Sequence, residues 1–375
     1  MDNRWRDARN ILLVRLDNLG DVLLCTPAFH AIKETNPEAR LTLLASPVGA
    51  QAAPLIPDLD GVISYEAPWM DVWDHLPLDS RRELQVIEHI RDYQFDGAII
   101  FTSFRQSSLP AAYLCYLADI PLRLAISIDG SGSLLTTRHK HVEDHQLHEV
   151  LRALQLVAVE GFQTTNTDLV LRVPESDKQA MRSRLISEGI TMDRPIVAVH
   201  PGCSMPARTY PWEMFADAAD LLIETTGSQV VLTGDSREVG LVERVMERMK
   251  HPALSMAGKA SFVDLAALLS IANVVVTNNT GPAHVAAAVK TAVVDLFALT
   301  NPPEQWRPWN VPYRLLNRPV SCALCYSRVC PTDHACLRGV APSDVAAAAR
   351  ELLALGQVGT DTRRETPVGS AGADK

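Results

Sequence analysis

Short apolar segments alternate with longer segments of helical periodicity along most of the chain. A short run of Val, Ile and Leu bounded by polar turns is typical of a buried strand, whereas apolar residues at i, i+3 and i+4 indicate an amphipathic helix. In the first half, strands are predicted at residues 11–15, 41–45, 62–64, 97–101 and 122–126. In the second half, they are predicted at residues 196–200, 229–233, 274–277 and 292–297.

Helices are predicted between these strands, and two of them begin with a capping signal. Ser80 with Glu83, and Ser261 with Asp264, have the spacing of a capping box. Further helices are predicted at residues 142–160, 211–226, 236–250, 261–271 and 281–290.

The alternation of strands and helices predicts parallel sheets covered by helices on both faces. We therefore expect an α/β protein of two doubly wound, Rossmann-like domains that face each other across a cleft, with the ligand in the cleft. The domains are expected at residues 1–175 and 190–355, and a length of 375 residues suits two domains. Residues 356–375 are expected to form a disordered tail.

Charge and cysteine usage restrict the partners and the compartment. Lys and Arg number 35 against 44 Asp and Glu, a net charge of −9, so no broad basic surface for nucleic acid is expected. No apolar run reaches the ~20 residues of a bilayer span, and the first one is too short for a signal peptide. Seven cysteines, an odd number, do not form the pattern of a secreted disulfide framework. A cytoplasmic protein is therefore expected.

Three common motifs of nucleotide and metal enzymes are missing from the sequence. It has no G-x-G-x-x-G after the first strand, no G-x-x-x-x-G-K-[ST] and no H-E-x-x-H. This disfavours a dinucleotide cofactor, P-loop nucleotide hydrolysis and zinc proteolysis.

The first candidate segment is R-L-D-N-L-G-D at residues 15–21, between the first predicted strand and its helix. Open α/β sheets bind ligands at the carboxyl ends of their strands, and Gly20 lets the backbone approach a substrate closely. Asp21 falls in the first helical turn. It is either a functional carboxylate or only a complement to the helix dipole.

The second candidate segment follows the first predicted strand of the second domain. It contains His200 and Gly202, and then Arg208 just before a predicted helix. A cation beside a helix start can neutralise a diphosphate, and a surface loop with one solvated Arg is the alternative. Asp235 ends the next strand and could bind a ribose hydroxyl or cap the following helix.

The third candidate segment is T-N-N-T-G-P-A-H at residues 277–284, where a strand ends and a turn of small residues opens a helix. Several backbone N–H groups and the Thr280 hydroxyl would face the cleft and form a phosphate cradle without Walker residues. Similar turns also occur in α/β proteins that bind nothing there. The candidate residues are Asn279, Thr280, Gly281, Pro282 and His284.

Together these segments resemble glycosyltransferase family 9, the ADP-heptose:lipopolysaccharide heptosyltransferases. The resemblance rests on R-L-D-N-L-G-D followed by T-P-A, on H-P-G with R-x-Y-P-W, and on T-G-P-A-H before an Ala-rich helix. A fourth pattern, from Cys322 to Cys336, looks most like the heptosyltransferase II branch. The resemblance covers residues 10–355.

The resemblance implies a GT-B fold whose N-terminal domain takes the acceptor and whose C-terminal domain takes the nucleotide sugar. It implies that Asp21 is the general base of an inverting transfer, that Arg208 lies near the donor phosphates, and that residues 280–282 bind the diphosphate. One carboxylate can take the acceptor proton, and a helix N-terminus with Arg208 can stabilise the leaving diphosphate without a metal. No cofactor is expected.

The implied donor is ADP-heptose, and the implied acceptor is a lipid-anchored saccharide of the lipopolysaccharide inner core. Transient contact with the inner leaflet of the inner membrane is therefore expected. Asn279 departs from the pattern, since many members of the family have Asp there, near the donor sugar. Asn forms hydrogen bonds but carries no charge. A transferase with another nucleotide sugar and glycan acceptor, or a non-catalytic nucleotide-sugar-binding protein, are the alternatives.

Three further groups of residues have a second interpretation. Asp58 and Asp60 form a D-x-D match, but Asp is common in turns that bind no metal. Trp69 and Trp73 could contact a sugar or a membrane, although packing inside the N-terminal domain is favoured. Solvated or partly packed side chains are expected for His139, His141, His145 and His148.

A cysteine cluster near the C-terminus has spacing that could bind zinc. The alternative, which we favour, is a reduced, packed loop beside the cleft, and the resemblance implies no metal. The residues concerned are Cys322, Cys325, Cys330, His334 and Cys336.

Overall fold

The protein contains two six-stranded parallel β-sheets, one in each half of the chain. The computed structural model describes residues 4–70, 75–103, 105–140 and 146–361, with side chains up to residue 356. The strands of the first sheet are β1 (Asn10–Arg15), β2 (Arg40–Ala45), β3 (Gly61–Ser64), β4 (Gly97–Ile100), β5 (Leu122–Ile126) and β6 (Thr137–His139). Their order in the sheet is β3-β2-β1-β4-β5-β6.

Helices cover both faces of the first sheet. They are α1 (Arg4–Asp7), α2 (Leu19–Thr35), α3 (Ser80–Asp92), α4 (Leu109–Leu117) and α5 (Glu149–Ala158). Short 3₁₀ segments lie at Gly49–Leu55 and Gly132–Leu134. α2 packs against α5, and α3 packs against α4.

The second sheet repeats this plan. Its strands are β7 (Ile196–His200), β8 (Gln229–Leu232), β9 (Leu254–Ser255), β10 (Val274–Asn278), β11 (Ala292–Leu296) and β12 (Tyr313–Leu316). Their order is β12-β11-β10-β7-β8-β9.

Eight helices belong to the described part of the second half. They are α6 (Glu175–Ser187), α7 (Trp212–Thr226), α8 (Val239–Arg248), α9 (Phe262–Ile271), α10 (Gly281–Ala288), α11 (Pro303–Trp306), α12 (Ala335–Arg338) and α13 (Pro342–Asp361). A 3₁₀ turn, Pro206–Arg208, precedes α7.

The strand order reverses once in each sheet. In the first sheet the reversal lies between β1 and β4, and in the second it lies between β7 and β10. At such a switch point the loops after the two strands leave in opposite directions and open a crevice beyond the carboxyl ends. Each half therefore presents one crevice.

One apolar core crosses the boundary between the halves. α2 packs against α10, and the buried side chains of Leu23, Phe29, Ala283 and Ala287 belong to one continuous cluster. The clusters on the other faces of the two sheets each stay within one half. The halves are thus held together by apolar packing next to the two crevices.

The predicted α/β fold with two parallel-sheet domains is confirmed, with differences at several elements. The sequence pattern does not predict the short strands β6, β9 and β12, nor α6, which lies within the expected linker and packs against α9. α8 begins later than predicted because Asp235 accepts a hydrogen bond from the N–H of Arg237 in a preceding turn.

The structure also differs from the predicted C-terminal boundary and from one predicted helix. α13 continues to Asp361 and so passes the predicted boundary at residue 355; residues 362–375 lie outside the described residues. The helix predicted at 142–160 is shorter in the structure: residues 142–145 fall outside the described residues, and α5 spans only Glu149–Ala158. No helix within the described ranges combines the length and the hydropathy needed to cross a membrane.

Candidate active site

The loops that follow β1, β4, β7 and β10 meet in one cavity between the halves. The cavity encloses about 250 Å³. Because these are the four strands at the two switch points, the topology itself brings their loops together. The lining residues are Asp17, Asn18, Gly20, Asp21, Ser103, Gln106, Ser204, Arg208, Asn279, Thr280, Gly281, His284 and Trp306.

A buried ionic cluster forms the N-terminal side of the cavity. The guanidinium of Arg15 lies 2.8 Å from a carboxylate oxygen of Asp17 and 3.1 Å from one of Asp21. It also donates to Ser103 Oγ at 2.6 Å. Gln106 Nε2 donates to the other oxygen of Asp17 at 2.7 Å. Both carboxylates are therefore held in place by side chains from β1 and from the loop after β4.

Burial has opposite consequences for the members of this cluster. Burial raises the pKa of Asp17, and the Arg15 charge and the hydrogen bonds from Gln106 and Ser103 offset part of that rise. Burial alone would lower the pKa of Arg15, but the negative charges of Asp17 and Asp21 among others outweigh it and raise that pKa. Arg15 is thus a fixed cation beneath the two carboxylates.

Asp21 lies at the N-terminus of α2 and faces the cavity. One carboxylate oxygen accepts from the backbone N–H of Asn18 at 3.1 Å, which completes a capping arrangement. The other oxygen contacts Arg15 and lies 3.4 Å from Ser103 Oγ. The two interpretations of Asp21 are therefore compatible, because the same carboxylate caps the helix and is accessible from the cavity.

Gly20 sits where the two halves touch. A Cβ at this position would lie 2.7 Å from His284 Cδ2 and 3.5 Å from the backbone of Gly281. Only glycine permits this approach without displacing α10 or the His284 ring. Gly20 therefore allows the N-termini of α2 and α10 to face the same cavity.

Arg208 supplies the cation on the C-terminal side. It is half-buried, and its Nε donates to Thr300 Oγ1 at 3.1 Å. Burial lowers the pKa of its guanidinium, and surrounding negative groups offset part of that effect. An arginine remains charged under such conditions, so Arg208 brings positive charge into the cavity opposite Asp21.

The predicted phosphate cradle opens onto the cavity as expected. Thr280 has an extended backbone and precedes α10, which begins at Gly281 with Pro282 in its first turn. A Cβ on Gly281 would meet nothing within 4 Å, so the start of the helix is open toward the cavity. Helix N-termini present free N–H groups and positive potential. The turn can therefore receive an anion beside Arg208.

His284 lies one turn into α10 and is almost fully buried. Its Nδ1 has no hydrogen-bond partner among the described residues. Burial, with a contribution from the Arg208 charge, lowers the pKa of His284 to about 4. The imidazole is therefore neutral at pH 7 and adds no charge to the cavity.

Four predicted site residues do not line the cavity: His200, Gly202, Asp235, and Pro282 in the first turn of α10. His200 is buried, contacts Thr233 Oγ1 at 3.0 Å and lies 3.6 Å from a carboxylate oxygen of Glu238. Gly202 packs against the Glu238 carboxylate, and a Cβ there would lie 1.9 Å from Glu238 Oε1, so a larger residue would require that side chain to move. Asp235 pairs with Arg237 at 2.6 Å on the surface and accepts from the N–H of Arg237 in the turn before α8. The alternative that Asp235 caps this helix is wrong, because Glu238 occupies the N-cap position.

An unexpected carboxyl lies in the sheet below Arg208. Asp295 is fully buried in β11, opposite Thr277 of β10. Neither of its oxygens has a hydrogen-bond partner among the described residues. Burial raises the pKa of Asp295 to about 8, although the charge of Arg208 works in the opposite direction. The carboxyl is therefore mostly protonated at pH 7.

A second, larger cavity of about 590 Å³ adjoins the first. The two share the lining residues Asp17, Asn18, Gln106 and Ser204. The larger one extends over the N-terminal half, past the loop after β2 and the segment near Met70, and Arg328 closes it from the C-terminal half. Its size and position suit an extended ligand that reaches Asp21 from the N-terminal domain.

The cysteine segment packs beside the loop that carries Arg208. The Sγ atoms of Cys322 and Cys330 lie 3.5 and 3.6 Å from Thr332 Oγ1, and His334 Nε2 lies 2.9 Å from the carbonyl oxygen of Pro206. All seven cysteines are free. Within the described ranges, no three His, Cys, Asp or Glu side chains come together as a metal-binding group.

The remaining candidates have structural partners. Asp60 accepts from Lys33 Nζ at 2.8 Å and from the backbone of Leu41. Trp69 packs edge-to-face on Tyr65, with ring centroids 5.8 Å apart, whereas Trp73 lies outside the described residues. His148 caps α5 and contacts the carbonyl oxygen of Arg307 at 2.9 Å, and His139 is half-buried at the end of β6. His141 and His145 fall outside the described ranges.

Comparisons with known proteins agree with this architecture. A glycosyl transferase family 9 structure from Veillonella parvula DSM 2008 superposes with a TM-score of 0.76 at 19% identity and covers 92% of this chain and 97% of its own. The structure of Escherichia coli ADP-heptose lps heptosyltransferase II superposes with a TM-score of 0.74 at 19% identity and covers 93% and 99%. The expected GT-B fold is thereby confirmed.

The sequence comparisons concern the same group of proteins. Lipopolysaccharide heptosyltransferase 3 of Escherichia coli (strain K12) is 27% identical over 300 residues, which cover 77% of this chain and 82% of that protein. The model of glycosyltransferase family 9 (heptosyltransferase) matches residues 84–336, about two thirds of the chain. The chain is therefore a glycosyltransferase and belongs to glycosyltransferase family 9.

Proposed function

We propose that this enzyme transfers a heptose from ADP-heptose to a saccharide acceptor of the lipopolysaccharide inner core, with inversion at the anomeric carbon. The observation that carries the proposal is that Asp21, Arg208 and the start of α10 line one cavity between the domains. Such a transfer needs a general base and positive potential at the leaving diphosphate. The name of the Escherichia coli relative supports the heptose and the lipopolysaccharide.

In this proposal Asp21 takes the proton of the acceptor hydroxyl while that oxygen attacks the anomeric carbon. The bond from the anomeric carbon to the diphosphate oxygen breaks, and ADP leaves with the electron pair. Arg208 and the N–H groups at the start of α10 stabilise the negative charge that develops on the diphosphate. No metal ion is required for these steps.

The acceptor is assigned to the larger cavity of the N-terminal half. That cavity reaches Asp21 through the residues it shares with the smaller one. The larger cavity is not lined by the start of α10, so the C-terminal half is left for the nucleotide sugar. We further propose that the enzyme works at the cytoplasmic face of the inner membrane, because its acceptor is lipid-anchored. Co-sedimentation with vesicles that contain heptose-deficient lipopolysaccharide, but not with vesicles that lack it, is the expected result.

The test is transfer of heptose to heptose-deficient and to singly heptosylated lipopolysaccharide, with EDTA present. Asp21→Asn keeps the shape of the side chain but removes the base, so turnover is expected to fall by roughly 10²–10⁴. The affinity for ADP should change little, because in this proposal Asp21 contacts the acceptor hydroxyl and not the diphosphate. Near-wild-type turnover of this variant would eliminate Asp21 as the base.

Asp17→Asn is the matched control for this substitution. Asp17 contacts the same Arg15 and Ser103 but is tied to Gln106. A loss of turnover in this variant alone would transfer the role of base to Asp17. NMR of the product glycosidic bond would settle the stereochemistry, and retention of configuration would contradict a single displacement with one base.

The donor is tested separately from the base. Asn279 motivates a parallel assay with other nucleotide sugars, because it replaces a charged residue by a neutral one in the cavity. Product from another nucleotide sugar, with none from ADP-heptose, would keep the transferase and replace the donor.

A further inference from the structure

A chain of hydrogen bonds runs from Arg208 to Asn279 beside the cavity. Arg208 Nε donates to Thr300 Oγ1 at 3.1 Å, and Thr300 Oγ1 donates to Asn301 Oδ1 at 3.1 Å. Asn279 Nδ2 donates to the same Asn301 Oδ1 at 3.3 Å. Thr300 and Asn301 are buried in the loop after β11, whereas Arg208 and Asn279 line the cavity.

The chemistry of Arg208 fixes the first hydrogen bond of this chain, and the geometry gives the direction of the others. A guanidinium Nε carries a hydrogen and has no acceptor lone pair, so Thr300 Oγ1 must accept from it. The hydroxyl hydrogen of Thr300 is then free to donate, and it points to the carbonyl oxygen Oδ1 of Asn301. The atom of Asn279 that faces this oxygen must in turn be the donor Nδ2.

We propose that Thr300 and Asn301 are positioning residues of the donor site, and that they turn Oδ1 of Asn279 into the cavity as an uncharged acceptor for a hydroxyl group of the donor sugar. Asn279 Nδ2 is committed to Asn301, and Asn279 lines the cavity, which leaves its Oδ1 for a ligand there. The assignment of the sugar to this cavity rests on the proposed function, whereas the positioning of Arg208 does not.

This arrangement gives a physical reason for an amide at residue 279. A carboxylate there would place a second acceptor against Asn301 Oδ1, with no hydrogen between them. Asn301 would then have to rotate its amide and present Nδ2, and Thr300 would lose its acceptor. A buried polar group without a partner is costly. A change at any one of the residues 208, 300, 301 and 279 is therefore expected to alter the hydrogen bonds of the others.

The first experiment measures ADP binding by calorimetry in Thr300→Val and Thr300→Ser. Valine has the shape of threonine but leaves the Arg208 Nε without its acceptor, so the Kd for ADP is expected to rise roughly five- to tenfold. Serine keeps the hydroxyl and should restore the wild-type Kd. Equal Kd values for wild type and Thr300→Val would overturn the positioning of Arg208, and an equal loss in the serine variant would indicate packing alone.

The second experiment is a double-mutant cycle between Asn279→Asp and Thr300→Val, read as kcat/KM for the nucleotide sugar. Asn279→Asp alone is expected to lose about tenfold, mostly in KM for the sugar nucleotide, with a smaller effect on the Kd for ADP, which lacks the heptose that would contact residue 279. In the Thr300→Val background the Asn301 amide is free to rotate toward the carboxylate. The same Asn279→Asp change should then cost no more than about twofold.

If the losses in kcat/KM of the two single variants simply add in the double variant, the hydrogen-bond chain from Arg208 to Asn279 is refuted, even if each single variant is impaired. Asn301→Ala, which removes the acceptor oxygen that Thr300 and Asn279 share, should weaken ADP binding as Thr300→Val does. The result also separates this inference from the proposed function. If wild type binds ADP but transfers no heptose, the proposed function fails, and the calorimetry with Thr300 variants still tests the chain.

Discussion

The buried carboxyl of Asp295 makes the stability of the fold depend on pH in a specific direction. Burial raises the pKa of Asp295 to about 8 in the folded protein, against about 3.9 in an unfolded chain. Between these values the folded state holds a proton that the unfolded state has lost, so the free energy of unfolding falls as pH rises. The stabilisation is complete below about pH 4 and is lost by the time the pH has passed about 8.

The size of this effect follows from the same two pKa values. Each pH unit in the window changes the free energy of unfolding by about 1.4 kcal/mol. From pH 5.5 to pH 8 the contribution of Asp295 is therefore about 3 kcal/mol. Asp295→Asn is a neutral isostere of the protonated acid and cannot lose a proton. The variant should exceed wild type by about 2 kcal/mol at pH 5.5 and by about 5 kcal/mol at pH 8, so that the difference widens by about 3 kcal/mol across the window.

Urea unfolding at five pH values between 5.5 and 8, followed by tryptophan fluorescence, measures this difference. Asp168→Asn is the control, because Lys290 holds the pKa of Asp168 below its ordinary value and its titration is over before pH 5.5. That variant should run parallel to wild type across the window. Parallel curves for Asp295→Asn as well would refute the argument, since they would mean that Asp295 is ionised in the folded protein and paired with Arg208.

Two further predictions concern the interface and the cysteines. Gly20→Ala forces a Cβ to within 2.7 Å of His284 and should lower the melting temperature. Gly281→Ala is the control: its Cβ meets nothing, so it should melt like wild type but bind ADP more weakly. Hydrogen bonds lower the pKa of Cys330 although burial opposes this, whereas burial raises the pKa of Cys25 to about 12. Cys330 should therefore react with iodoacetamide before Cys25. Mass spectrometry of the labelled peptides would show the reverse order if this reasoning were wrong.

The sequence is most informative where a strand is buried on both faces. β1, β7, β10 and β11 consist largely of Val, Ile and Leu, so their apolar runs predict them well. β12 is only half-buried, and β6 and β9 are two or three residues long and lie at the edges of their sheets. Their short, mixed sequences carry no periodic signal, because edge strands are defined by the neighbour that they join.

The residues of the site also divide into those that the sequence predicts and those that it does not. Asp21, Arg208 and the turn before α10 could be predicted, because each lies in a motif at the end of a strand. Ser103 and Thr300 could not, since they meet their partners Asp21 and Arg208 from 82 and 92 residues away. Such contacts depend on which strands are neighbours and on their register, neither of which local spacing reveals.

Asp295 and Asp17 did leave a signal in the sequence. Asp295 interrupts the apolar run of a predicted strand, a local conflict that is typical of functional sites. Asp17 lies in the same motif as Asp21, two residues after Arg15. Conversely, His200 and Asp235 share the favourable position at a strand end but face Glu238 and solvent instead, so position at a strand end is necessary rather than sufficient.

The continuous core beneath α2 and α10 also bears on how the two halves move. Opening the crevice by pulling these helices apart would expose apolar surface to water, whereas pivoting about their contact would not. A rotation of one half relative to the other would therefore pivot about the contact between α2 and α10, and the loops that line the cavity would move most. A small rotation at Gly20 would translate into a larger change in the distance between Asp21 and Arg208 without breaking the core. In such a rotation Gly20, where the two helices approach closely, would lie near the axis.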